Sequence, residues 1–156
     1  MSGVYIVREV VREVLAVVAA DELPMVDEFD RYDDDTVLRR LRRRNGDDLL
    51  GFGVDEITVL ATPVVWLALA EMAKQLGSSA AGGTVRGVTR LTSRILRRPT
   101  APTTLPQMSG PQLGQLRSLI SEISEQRGLD TDRAQVIADA VVAQLAASDS
   151  RQRPPQ

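Results

Sequence analysis

A chain of 156 residues with 43% apolar side chains and a formal net charge of −2 can bury one sizeable core, and as a whole it carries no strong pull toward nucleic acid or membrane. It contains no cysteine and no histidine, which excludes a disulfide scaffold, a thiolate zinc site, a thiol nucleophile, and the commonest general base and metal ligand. Aromatics make up 3%, and a core of Leu, Val and Ala with so few rings points to helices rather than strands.

Charges recur from Arg8 onward and no basic stretch precedes an apolar run, so no signal peptide is expected. Residues 4–23 read as a first helix. The tandem Val-Arg-Glu-Val repeat over residues 7–14 sets Val7, Val11, Val14, Leu15 and Val18 on one stripe, with Arg8, Glu9, Arg12 and Glu13 elsewhere. Its β-branched content would also suit a strand over the first few residues, but the period favours helix, and Pro24 is expected to end it. Residues 21–35 hold eight carboxylates, and Arg39, Arg40, Arg42, Arg43 and Arg44 follow. Asp35 or Thr36 can cap a short helix through Arg44 that Asn45-Gly46 closes, with acid at its start and base at its end.

After a turn at Gly51-Phe-Gly53 and a cap at Asp55 comes the most apolar stretch. Residues 57–70 form an uncharged run of 14 residues. A helix of that length spans roughly 21 Å, short of the ~30 Å hydrocarbon core of a bilayer. Thr62-Pro63 allows two readings, a new helix capped by Thr62 or one helix kinked at Pro63. Apolar on nearly every face, this helix (56–76) is expected to be surrounded by protein, with Trp66 as a core anchor.

Residues 84–98 read as a further helix carrying a basic stripe, Arg86, Arg90, Arg94 and Arg97. Beside an apolar helix such a stripe would suit an anionic membrane surface; the acidic 21–35 segment is the competing partner. Residues 99–111 hold four prolines and no charge and read as an extended tether. Beyond it lies a helical hairpin. Leu113, Leu116, Ile120 and Ile123 form one stripe, Gly128-Leu129 turns the chain, and Ala134, Ile137, Val141 and Leu145 form the facing stripe. Residues after Ser148 read as a disordered tail.

Motifs that carry chemistry are weak. Gly77 to Thr84 has phosphate-loop spacing but glycine where the lysine belongs, and it follows a helix instead of a strand. Asp27, Asp30, Asp33 and Asp35 lack the glycine and glutamate of a calcium loop. The hairpin resembles a DNA-binding helix-turn-helix only in outline: its second helix opens with Asp130 and Asp132, which phosphates repel. A Ser–Lys dyad would need Lys74, the sole lysine, which sits beside Glu71 as an ordinary helix end.

The expected fold is therefore all-α, a small irregular helical bundle: an N-terminal helical region (1–98), a Pro/Thr-rich linker (99–111), a hairpin (112–147) and a tail (148–156). The expected function is a non-catalytic cytoplasmic protein–protein interaction or assembly module, working as an adaptor or homo-oligomer and needing no cofactor or metal. Its expected partner-binding residues are Leu113, Leu116, Ile120, Ile123, Ile137, Val141 and Leu145. The alternative is a membrane-associated accessory protein using helix 56–76 and the Arg86/Arg90/Arg94/Arg97 surface. Nucleic-acid contact, through Arg39–Arg44, is the weakest expectation.

Overall fold

The computed structural model describes residues 3–42, 61–77 and 102–152. The fold is all-α, with one two-stranded sheet among the described residues. In chain order it runs β1 (Val4–Ile6), α1 (Val7–Val18), a 3₁₀ turn (Ala20–Glu22), α2 (Leu23–Phe29), α3 (Asp34–Arg42), α4 (residues 61–77), β2 (Thr104–Pro106), α5 (Gly110–Gln126) and α6 (Thr131–Gln152). The Asn45-Gly46 stop, the Gly51-Phe-Gly53 turn, the Asp55 cap, the phosphate-loop-like stretch, the 84–98 helix and its arginine stripe lie outside the described residues.

The expected first helix divides. Val4–Ile6 is a strand paired antiparallel with Thr104–Pro106, with Tyr5 opposite Leu105 and both side chains buried. Branched Val4 and Ile6 suit a strand, and the alternation puts Tyr5 inward. From Val7 the period becomes helical, and Val7, Val10, Val11, Val14 and Leu15 are buried. Pro24 does not end this helix. Val18 does, and Pro24 sits in the first turn of α2, where a missing N–H costs nothing.

The 99–111 segment is likewise not a free tether. Leu105, its one large apolar residue in the paired stretch, is fully buried, and pairing with β1 satisfies the surrounding backbone. The Thr103 carbonyl accepts from Val7 N at 3.0 Å, covering an otherwise orphaned donor at the start of α1. Ser109 and Gln112 form a reciprocal capping box, so α5 begins at Gly110 inside the expected linker.

The hairpin turn follows from local chemistry. Gly128 adopts φ +76°, Leu129 N donates to Ser124 O at 2.8 Å and Gly128 N to Glu125 O at 3.1 Å. That is a Schellman stop, with Leu129 buried behind it. α6 continues through Gln152, past the expected start of a tail.

One apolar cluster joins these elements. α4 runs through it with Val64, Val65, Trp66, Ala68, Leu69 and Met72 fully buried, as the all-round apolar pattern requires. Among the described residues no helix is long and apolar enough to cross a membrane.

Candidate functional site

Two buried carboxylates organise the N-terminal half. Asp34 opens α3 and is 5% exposed. Its Oδ1 accepts from Arg8 Nη2 at 2.8 Å and Nε at 3.2 Å, and its Oδ2 accepts from Thr103 N at 2.6 Å. Arg8 also donates to Phe29 O at 2.9 Å, Tyr32 O at 2.8 Å and Asp30 Oδ1 at 3.2 Å. These bonds engage all the N–H groups of the guanidinium, a fan that lysine cannot reproduce. The guanidinium also lies 5.4 Å from the Trp66 ring centroid, and Phe29 meets that ring edge-on at 5.9 Å. One arginine thus ties α1 to the α2–α3 loop and to α4, and through Asp34 to the strand lead-in at Thr103. Arg12, one turn along, pairs with Asp27 and Asp30 at the surface.

Glu22 is the second, 5% exposed. Its carboxylate accepts from Ala61 N and Thr62 N, both at 2.9 Å, and from the Thr62 hydroxyl at 2.6 Å. A carboxylate on the first-turn amides of α4 suits the positive end of the helix dipole. Of the two readings of Thr62-Pro63, neither named this cap: Thr62 donates to Glu22, and Pro63 sits where no N–H is needed. Arg133 of α6 approaches Glu22 at 3.8 Å.

The acidic block therefore has partners that composition alone did not reveal. Asp27, Asp30 and Asp34 are held by the arginines of the tandem repeat, and Asp33 accepts from Thr36 at the start of α3. Among the described residues no group of acidic side chains converges so as to hold a metal ion.

The expected partner-binding stripe faces inward. Leu116, Ile120, Ile137 and Val141 are fully buried, Leu145 is nearly so, and Leu113 and Ile123 pack half-buried against the same cluster. This corrects the sequence reading: the two stripes meet each other and α1, and are not displayed to a partner. Arg127, just before the hairpin turn, donates to Leu41 O at 2.7 Å near the end of α3.

What remains open is elsewhere. Val17 is 76% exposed, Val136 56% and Val4 55%. α1 and α6 run antiparallel, with Glu13 meeting Gln144 and Glu22 meeting Arg133. In sequence Val17 falls between Glu13 and Glu22, and Val136 between Arg133 and Gln144; Ala20 is exposed and Ala140 half-buried. A depression lies at the other end of the same helix pair, lined by Val4, Ile6, Glu9, Glu13 and Arg151 among others. Half-buried Arg8 has no distinguishing mark in its repeat pattern, which equals that of Arg12. The usable signal was its place next to Val7, between two stripe positions at the start of the helix. Comparison with protein-family models, with curated proteins and with solved structures found no match.

Proposed function

We propose that the chain is a non-catalytic intracellular helical module that works by docking to protein, self-assembly included. The observation that carries this reading is that two large apolar side chains stay exposed on the packed, antiparallel pair α1 and α6: Val17 on α1 and Val136 on α6. Large apolar side chains left exposed on packed helices, with charged residues nearby, are the usual makings of a protein interface. The burial of Trp66, Leu69 and Met72 favours this reading over membrane attachment, which needs helix 56–76 at a lipid surface.

Sedimentation velocity over a wide concentration range tests the proposal. The wild-type chain should associate as concentration rises, and Val17→Glu combined with Val136→Glu should leave a monomer with an unchanged circular dichroism spectrum. A wild-type chain that stays monomeric at the highest concentration and is indifferent to the double substitution contradicts it.

A further inference from the structure

We infer that the outer edge of β1 is a docking site for an extended, basic segment of a partner protein, which adds to the sheet as a third strand. The inference uses the β1 edge and not the Val17 and Val136 side chains, and does not depend on them.

The backbone pattern fixes which groups face outward. Val7 N donates to Thr103 O at 3.0 Å and Gln107 N donates to Gly3 O at 3.2 Å. With Tyr5 opposite Leu105, the odd-numbered residues of β1 are the ones bonded to β2. Val4 and Ile6 therefore turn their N–H groups, and Val4 its carbonyl, to the other side, where none has a partner among the described residues. The two edges of the sheet differ. On the β2 edge the outward-facing residues are Thr104 and Pro106, and Pro106 offers no N–H, so that edge presents one backbone donor where β1 presents two. Among the described residues nothing covers the Val4 and Ile6 N–H groups of the β1 edge.

Beside the open edge is the depression lined by Val4, Ile6, Glu9, Glu13 and Arg151, with no β2 residue in its wall. Glu9 and Glu13, one turn apart on α1, are exposed and contribute two carboxylates to its wall; Glu13 reaches Gln144 of α6, and Arg151 also lines it. Val4, 55% exposed, offers an apolar contact on the strand itself. Backbone donors and an acceptor in a row, an apolar side chain and two carboxylates suit a strand that alternates branched apolar residues with arginine or lysine. Main-chain bonds would supply the affinity and the glutamates the preference for base.

The test uses a labelled octapeptide of alternating arginine and valine. Two controls accompany it, the same peptide N-methylated at alternate amides and a glutamate–valine counterpart. Fluorescence anisotropy should show saturable binding of the first peptide only, and the Val4 and Ile6 amides should become protected from hydrogen exchange in the complex. Val4→Pro keeps the β1–β2 bonds, because the Val4 N–H faces away from β2, and should weaken binding roughly fivefold or more. Glu9→Gln with Glu13→Gln should weaken it at low salt. Equal binding of the N-methylated peptide, or of Val4→Pro, would overturn the inference by reducing the interaction to charge. So would an absence of binding, or protection of those amides that rises with protein concentration without peptide, which would mark pairing between copies of this chain.

Discussion

The hairpin and the N-terminal half are built by different means. In α5 and α6 each structural decision is made by neighbours: Ser109 and Gln112 start the first helix, Gly128 stops it, and stripes at helical spacing face each other. In the N-terminal half the decisions are made at a distance. Glu22 caps a helix that begins about forty residues later, and Asp34, bound to Arg8, reaches Thr103 across 69 positions. Local signals can specify elements, but arranging them here required buried charge, which is costly unless every partner is in place.

The largest break should come from Arg8. Its side chain and that of Asp34 are 19% and 5% exposed, so Arg8→Ala leaves a buried carboxylate without its cation. Urea unfolding should show a loss of about 3–5 kcal/mol. Arg8→Lys should recover only part, while Arg8→Met with Asp34→Leu should recover much of it, because removing both charges removes the penalty.

Next comes Leu105→Ala, with an expected loss of about 2–4 kcal/mol by the same measurement. A free tether would lose almost nothing, so the size of this effect separates a core strand from a linker. Glu22→Gln should follow at roughly 1–2 kcal/mol, because the amide keeps one acceptor for the α4 amides but loses the charge.

The smallest effect is confined to alkaline pH. Burial raises the Tyr5 phenol above its ordinary 10.0, and the nearby Asp149 carboxylate adds to this. The unfolded chain then loses the phenolic proton first, so stability is intact below about pH 10 and falls as the pH rises beyond it. Urea midpoints for Tyr5→Phe should fall less steeply above that pH than those of the wild type.

This contrast also explains what the sequence made legible. The all-α class, the hairpin with its Gly128 turn and the core role of Trp66 follow from period and composition. The inward stripe Leu116–Ile120 and Ile137–Val141 was legible as a stripe but not in its destination, since a period says that a face is covered and not by what. β1 and β2 were illegible for a related reason. Three residues cannot establish a period of two, and Leu105 between threonine and proline carries no local mark of burial. Arg8 and Arg12 are alike in sequence, and only the fold makes one the centre of a network and the other a surface pair.

Equilibrium unfolding followed by two signals tests most directly that hairpin and N-terminal half share one core. Trp66, the sole tryptophan, reports the surroundings of α4, and far-ultraviolet circular dichroism is weighted toward the long α5 and α6. A shared core predicts superimposable urea transitions by fluorescence and dichroism, both shifted together by Leu105→Ala. Two separated transitions, with the hairpin's helix signal surviving after the indole is exposed, would contradict it.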